Sequence, residues 1–201
     1  DRAAQMLGIG TAGIRHINTG DNLCMDIAAL RSAIDADLAA GNRPIAVVGS
    51  AGTTGTGAID PLDAIADVCA EYGLWFHVDA AMSGTAALCP EFRHIHEGLD
   101  LADSYCFNPH KWMFTNFDCS AYFCQDPKAL TATFEILPEY LKTGVEPQVK
   151  NFRDWGVPLG RRFRALKLWF VIRHYGVEGL RFHVRRHVEL AHDFAAWVEA
   201  D

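Results

Sequence analysis

Lys111 is the residue of this sequence whose surroundings most suggest chemistry. It follows a predicted strand and the turn Asn108-Pro109-His110, between the aromatic residues Phe107 and Trp112. This pattern predicts a half-buried lysine, and burying an ammonium group is costly unless the group is neutralised, paired or used covalently. Lys111 is therefore a candidate for forming a Schiff base with a carbonyl compound. The alternative is a lysine whose charged end reaches solvent from the end of a strand.

Asp79 is the second candidate, because it ends the apolar segment Leu74-Trp75-Phe76-His77-Val78. The carboxyl ends of parallel strands are where α/β sheets form their sites. Ala80 and Ala81 follow and leave room for a flat group to lie close to the backbone. A lysine and an acid are the pair that a pyridoxal phosphate site requires, since the acid keeps the pyridine nitrogen protonated. The alternative is that Asp79 caps a helix.

The segment 49–57, with the sequence GSAGTTGTG, is a weaker candidate for a phosphate-binding loop. Its glycines allow close backbone approach, and its hydroxyl groups are within reach of a cofactor oxygen. The segment matches neither the P-loop nor the dinucleotide-binding glycine pattern. A plain surface turn explains the same composition.

The elements that must position these residues alternate between helix and strand. Apolar spacing predicts a helix over residues 25–40, capped by Asp21 or Asn22, and a second helix over residues 61–72 that ends at Gly73. Strands are predicted at residues 44–49, 74–78, 104–107 and 120–123, and helices from residue 161 to the end with a break at Gly176. This order predicts an α/β protein with a mostly parallel sheet.

Composition excludes several classes of protein. The 201 residues carry a net charge of -7, which gives no electrostatic reason to expect nucleic acid. Every apolar stretch is shorter than the ~20 residues that span a bilayer, so no membrane association is expected. The six cysteines lack the C-x-x-C spacing, and the run His94-x-His96-Glu97 has no third ligand, so we expect reduced thiols, no metal and a cytoplasmic location.

Both ends of the sequence have the pattern of a helix interior. Neither a signal peptide at residues 1–4 nor a closing glycine or asparagine near residue 201 is visible. These features predict a fragment of a longer chain.

Several linked motifs resemble the aromatic L-amino-acid decarboxylases, which are group II pyridoxal-phosphate enzymes of fold type I. The motifs are HVDAA at 77–81, CPEFRH at 89–94, ADS at 102–104, NPHKW at 108–112, NFDCSA at 116–121 and PLGRRFR at 158–164. They follow the family order and span nearly the whole chain. The resemblance implies part of a large cofactor-binding domain of the fold type I transferase class, with helices on both faces of the sheet. It divides the chain into residues 1–165, with a mobile loop near 138–150, and residues 166–201, the start of a C-terminal small domain.

The resemblance also implies roles for individual residues. Lys111 would bind pyridoxal 5'-phosphate covalently, Asp79 would pair with the pyridine nitrogen, and Ala81 would pack on one ring face. Thr54 would lie near the cofactor's 3-hydroxyl group. Asn108 and His110 would lie beside the phosphate and the lysine, with His110 counted among the catalytic residues together with Lys111 and Tyr140.

Two further assignments involve the mobile loop and a second subunit. Tyr140 would protonate the substrate carbon after carbon dioxide leaves. Gly160 would reach the substrate or phosphate across the interface of a homodimer with a shared active site. The implied activity is decarboxylation of an L-amino acid, with an aromatic substrate favoured by Trp112 and the string at 116–119.

Departures from the family pattern keep alternatives open. The ring-stacking histidine and earlier phosphate-binding residues of the family lie upstream of the segment that residues 1–4 resemble. Met82 stands where relatives often carry a tyrosine, which leaves a non-aromatic substrate open. A related aldehyde synthase would use the same cofactor, but that activity accompanies phenylalanine in the mobile loop, where this chain has Tyr140. A non-enzymatic homologue is disfavoured by the intact Asp79 and Lys111.

Overall fold

The computed structural model describes residues 1–135 and 150–200, and its centre is a four-stranded sheet. The strands β1 (Ala46–Ser50), β2 (Trp75–Asp79), β3 (Ser104–Phe107) and β4 (Ala121–Cys124) lie side by side in chain order. The pairs β1–β2 and β2–β3 are parallel, and β3–β4 is antiparallel. The predicted α/β class with a mostly parallel sheet is therefore confirmed.

The reversed direction of β4 goes with the lack of a sheet-spanning helix in the connection that precedes it. Residues 108–120 contain only one helical turn, α4 (Pro109–Trp112), before β4 begins. A parallel crossover needs a dozen or more residues, usually with a helix that spans the sheet. Because α4 is one turn long, the chain turns back at the carboxyl end of β3 and returns antiparallel.

The other helices are α1 (Arg2–Met6), α2 (Ile27–Ala39), α3 (Leu62–Tyr72), α5 (Pro127–Phe134) and α6 (Arg164–Ala200). The predicted helices over 25–40 and 61–72 are confirmed as α2 and α3, and Gly73 ends α3 in the left-handed conformation. The predicted cap of α2 was wrong. Asp26 caps it, because its carboxylate accepts the N–H groups of Ala28 and Ala29 at 2.8 and 3.0 Å.

One face of the sheet carries the main core. Leu30 of α2 and Ile65 of α3 share a buried cluster with Val47 and Phe76 of the sheet. A Cβ on Gly49 would lie 3.2 Å from side chains of α3, so the helix packs directly on the β1 backbone. On the opposite face Val48 and Tyr122 are 54% and 49% exposed.

The helix α6 bends at Gly176 (φ 63°, ψ 174°), which confirms the predicted break. After this bend, Leu180 and Val184 are buried. Val184 packs in a cluster with Cys89, which joins the 3-10 segments Ser83–Leu88 and Pro90–His96, and with Ile95 of the second segment. The proposed division between residues 165 and 166 falls inside α6 and stays a prediction. Among the described residues, no helix has both the length and the apolar character to cross a bilayer.

Candidate active site

A cleft of about 150 Å³ opens at the carboxyl ends of β1 and β2. It lies between the loop after β1, the loop after β2 and α4. Its lining includes four residues singled out from the sequence, and the complete set is Ser50, Gly52, Thr53, Thr54, Asp79, Ala81, Met82 and Lys111. The fold thus brings Lys111, Asp79, Ala81 and Thr54 together although they span 58 positions of the chain.

Backbone hydrogen bonds continue beyond the strands and connect the loops around the cleft. The N–H of Ala51 donates to the carbonyl of Asp79 at 2.9 Å, and the N–H of Ala80 donates to the carbonyl of Cys106 at 3.0 Å. Beyond the ends of β2 and β3, the N–H of Asn108 donates to the carbonyl of Ala81 at 3.0 Å. The segments that carry Thr54, Asp79 and Lys111 are therefore hydrogen-bonded to one another where they leave the strands.

The loop after β1 is held from two sides. Gly52 has φ +91°, and a Cβ there would lie 2.6 Å from Oγ of Ser83, so only glycine fits this position. The hydroxyl of Ser83 donates to the carbonyl of Ala51. The buried carboxylate of Asp60 accepts the N–H of Ser50 at 2.8 Å and the N–H of Met25 at 2.7 Å. These contacts fix the start of the segment that the sequence suggested as a phosphate-binding loop.

Asp79 is half-buried at the last position of β2. Its Oδ1 accepts the N–H of Ala81 at 2.9 Å, a local turn contact and not a helix cap. Oδ1 also lies 3.7 Å from Sγ of Cys106 on β3. In the described part of the chain, no Lys, Arg or His lies within 4.0 Å of the Asp79 carboxylate. The carboxylate is thus hydrogen-bonded on one oxygen while it lines an open cleft.

Lys111 differs from the sequence prediction, because its side chain is exposed and not half-buried. The single turn of α4 lies at the edge of the sheet, and the lysine extends from it into the open cleft. Within residues 1–135 and 150–200, no carboxylate lies within the 4.0 Å of an ion pair with this ammonium. The cost of burial therefore does not distinguish Lys111; its place beside Asp79 in the lining of one cleft does.

Asn108 and His110 support α4 from its first turn. Asn108 precedes α4, and its carbonyl accepts the N–H of Lys111 at 2.9 Å. Nδ1 of His110 lies 2.8 Å from the carbonyl oxygen and 3.0 Å from the nitrogen of Cys119. The tautomer decides which of these two contacts is a hydrogen bond, and in both cases the ring is oriented through Nδ1. Neither side chain lines the cleft directly.

Two predicted site residues lie elsewhere. Gly160 is exposed in the segment that leads into α6 and is not among the residues that line the cleft. The resemblance assigned it to a partner subunit's site, so its role stays a prediction. Tyr140 lies outside the described residues, as does the predicted mobile loop near 138–150 except for residue 150.

A larger groove of about 460 Å³ lies at the opposite edge of the sheet, beside the amino end of β1. Its lining contains Tyr72 and Arg43 but none of the predicted site residues. The described residues also contain no group of three His, Cys, Asp or Glu side chains that could hold a metal ion. The cleft at the carboxyl ends of the strands is therefore the candidate active site.

Sequence reasoning included Ser50 only within the candidate loop at 49–57, and it missed Cys106. Ser50, the last residue of β1, lines the cleft, and Cys106 contacts Asp79 from the neighbouring strand. The paired positions Ser50–Asp79 and Asp79–Cys106 place them there. The ends of the predicted strands were the signal that could have found these residues. The register that aligns the three strands cannot, however, be read from the sequence of any one strand.

Comparison with known proteins gives one consistent family. The pyridoxal-dependent decarboxylase conserved domain matches residues 1–201. The aromatic-L-amino-acid decarboxylase of Cavia porcellus is 45% identical over 195 residues, which are 96% of this chain and 41% of that protein. The chain therefore spans about two fifths of the length of the relative it matches.

Solved structures agree with this similarity. The crystal structure of Oryza sativa TDC with PLP and tryptamine superposes with a TM-score of 0.95 at 43% identity, covering 100% of this chain and 42% of that one. The Rhodiola rosea 4-hydroxyphenylacetaldehyde synthase gives 0.90 at 40% identity, covering 100% of this chain and 41% of that one. Proteins whose structures are similar to this chain are therefore named for two different reactions.

Proposed function

The chain belongs to the pyridoxal-dependent decarboxylase family, and we propose that the protein it forms removes the carboxyl group of an L-amino acid with pyridoxal 5'-phosphate as cofactor. The observation that carries this proposal is the shared cleft of Lys111, Asp79, Ala81 and Thr54. An aromatic substrate is favoured by the similarity to an aromatic-L-amino-acid decarboxylase and to a structure with bound tryptamine.

The side chains present fit this cofactor. A primary amine with no carboxylate of the described residues within ion-pair distance is suited to bind an aldehyde, and a half-buried carboxylate is suited to hold a protonated ring nitrogen. Ala81 and Thr54 line the same cleft, where they offer a small side chain and a hydroxyl group. When bound, pyridoxal phosphate accepts the electron pair left on the substrate when carbon dioxide departs.

Each residue has a separate task in this proposal. Lys111 would hold the cofactor aldehyde through Nζ. Asp79 keeps a proton on the ring nitrogen. Asn108 and His110 hold the turn that carries Lys111, and Tyr140 delivers a proton to the Cα of the substrate. The product is the corresponding amine.

Assembly and location belong to the same proposal. We place the active site between two identical subunits, with Gly160 of one subunit reaching the cleft of the other, and the residues 166–201 at the start of a small domain. All six cysteines lie in the described residues as free thiols, which supports a reducing, cytoplasmic location. The net charge of -7 gives no support to nucleic-acid binding.

The aldehyde synthase reaction is the second candidate, because one similar structure has that name. It consumes oxygen and water and releases aldehyde, carbon dioxide, ammonia and hydrogen peroxide. A panel of L-amino acids separates the two reactions when amine, carbon dioxide and peroxide are measured together. We expect amine and carbon dioxide in equal amounts without peroxide, and the largest yield with an aromatic substrate. Carbon dioxide with peroxide and no amine would favour the aldehyde synthase, and no carbon dioxide from any amino acid would contradict both.

A further inference from the structure

The Asp79 carboxylate is hydrogen-bonded through only one of its two oxygens. Oδ1 accepts the N–H of Ala81 at 2.9 Å and the S–H of Cys106 at a sulfur–oxygen distance of 3.7 Å. Among the described residues, no hydrogen bond to Oδ2 is present. Both donors therefore hold the same oxygen and leave the other for a group in the cleft.

Cys106 reaches Asp79 because of the register of two parallel strands. Asp79 of β2 pairs with Cys106 of β3, so their side chains project from the same face of the sheet. The N–H of Ala80 donates to the Cys106 carbonyl at 3.0 Å and holds this pairing at the end of the strands. From the other elements, Lys111 of α4 and Tyr122 of β4 face the thiol.

The environment keeps this thiol protonated. Burial, together with the negative charge of Asp79, raises the pKa of Cys106 to about 11. Near neutral pH the group is therefore an S–H donor and adds no second negative charge beside the carboxylate.

A second donor matters because a carboxylate rotates easily about its terminal torsion. One hydrogen bond from the Ala81 backbone fixes the position of Oδ1 but leaves the carboxylate plane free to turn around it. A donor on the neighbouring strand restricts that rotation.

We propose that Cys106 is a positioning residue that orients the Asp79 carboxylate, so that Oδ2 is presented to the ring nitrogen of the cofactor. The role of Oδ2 rests on the proposed function. The contact between thiol and carboxylate is a property of the chain itself, so the two can be tested separately.

The first experiment tests the contact in the cofactor-free enzyme. The rate at which iodoacetamide alkylates Cys106 is followed against pH by peptide mass spectrometry, in the wild type and in Asp79→Asn. We expect the midpoint of the Cys106 profile to fall in Asp79→Asn, because a neighbouring negative charge has been removed. Cys124, whose thiol contacts the Asp126 carbonyl, is the internal control and should not change. An unchanged Cys106 midpoint would overturn the contact.

The second experiment tests the orientation in the holoenzyme with Cys106→Ala and Cys106→Ser. Alanine removes the donor, and serine keeps one. We expect Cys106→Ala to weaken pyridoxal phosphate binding about threefold to tenfold, because one weak hydrogen bond to a charged group is lost. The pH midpoint of the bound cofactor's absorbance should also shift. Cys106→Ser should retain wild-type values within about twofold.

The outcomes separate this proposal from the proposed function. Wild-type binding and absorbance in Cys106→Ala, or equal losses in alanine and serine, would overturn the orienting hydrogen bond. A second outcome separates the contact from its role. The Cys106 titration could depend on Asp79 while Asp79→Asn binds pyridoxal phosphate, and titrates it spectrally, like the wild type. The contact would then stand, but the assigned role of Asp79 and the orienting role of Cys106 would both fail.

Discussion

Asp79 and Lys111 line one cleft, but they come from different elements, the strand β2 and the helix α4, and act on different parts of the proposed cofactor. Asp79 is held by the N–H of Ala81, whereas Lys111 extends from a one-turn helix without a carboxylate within ion-pair distance in the described residues. Their removal should therefore have different consequences. Loss of the carboxylate should impair chemistry more than binding, whereas loss of the amine should remove the covalent link.

Asp79→Asn tests the first consequence. The amide is similar in size but carries no negative charge to keep the ring nitrogen protonated, so we expect only some of the cofactor to be retained and a loss of turnover of about a hundredfold or more. Measurement of bound cofactor and carbon dioxide release in the same preparation separates the two effects. Turnover near the wild-type rate would rule out this role for Asp79.

Tyr140→Phe tests the proton donor that the resemblance assigns. The phenyl ring keeps the bulk of tyrosine but cannot donate, so the reacting carbon stays unprotonated for longer and reacts with oxygen. We expect the product to shift from amine toward aldehyde, with ammonia and peroxide. An unchanged amine yield without peroxide would mean that another group protonates the carbon.

Sequence reasoning located the main residues of the cleft but not their environment. Asp79 and Thr54 follow predicted strands, and strand ends meet at one edge of a parallel sheet, so their proximity was predictable. The burial of Lys111 was predicted wrongly, because exposure depends on neighbours from distant segments and not on adjacent aromatic residues. Cys106 was missed because its contact with Asp79 arises from the register between strands.

Buried apolar contacts and an exposed ion pair are among the contacts that attach α6 to the 3-10 segments Ser83–Leu88 and Pro90–His96. Leu180 and Val184 are 2% and 1% exposed. Arg185 donates to both carboxylate oxygens of Glu91, at 2.5 and 3.2 Å, on the surface. Exposed pairs contribute little because water and salt screen them, so the apolar contacts should dominate.

Val184→Ala and Glu91→Gln compare these two contributions. Two buried carbon atoms are lost in Val184→Ala, which should lower the free energy of unfolding by about 2 kcal/mol, including the cavity that remains. Glu91→Gln should have a smaller effect that disappears in high salt. Denaturant unfolding of the enzyme and both variants checks this order. A larger loss in Glu91→Gln would show that the ion pair dominates.

The same ion pair predicts a dependence on acid. The hydrogen bond from Arg185 lowers the pKa of Glu91 to about 2. Because the pKa of Glu91 is lower in the folded protein than its unfolded value of about 4.3, the ionised side chain stabilises the fold at a pH above about 4.3. This contribution is lost as the pH falls from there toward 2. The difference between wild type and Glu91→Gln should therefore shrink over that interval.

The elements themselves were predictable to different degrees. Apolar periodicity located α2 and α3, and Gly73 marked the end of α3. The cap of α2 was misplaced because several polar residues precede it, and only geometry selects Asp26. The direction of β4 was not predictable from its own composition, since it depends on the length of α4 in the preceding connection.

At the scale of the whole molecule, the described residues expose many large apolar side chains. Val48 on the open face of the sheet and Phe182, Phe194 and Trp197 on α6 are each more than half exposed, at 54%, 62%, 63% and 67%. Apolar surface of this extent on a single chain usually marks an interface or a face covered by other segments. The similarity to proteins more than twice as long agrees with this interpretation.

The 201 residues produced alone should therefore self-associate and lack decarboxylase activity. The expected reason is apolar surface that has no partner, together with a site that the proposal builds from two subunits. Analytical ultracentrifugation with a carbon dioxide assay tests this. A monodisperse monomer that releases carbon dioxide would contradict both the shared site and the need for further segments.

Lys111 is proposed to bind pyridoxal phosphate covalently in the cleft that Asp79 also lines. Borohydride reduction of the holoenzyme fixes such a link, and peptide mass spectrometry then locates it. We expect the reduced cofactor on Lys111, and its loss in Lys111→Ala while the circular dichroism spectrum stays unchanged. Lys167, which donates to the Asn116 carbonyl at 2.8 Å, is the matched control, and Lys167→Ala should keep the label on Lys111. Labelling of Lys142 or Lys167 in the wild type, or no labelled lysine at all, would contradict the assignment of Lys111 as the cofactor-binding lysine.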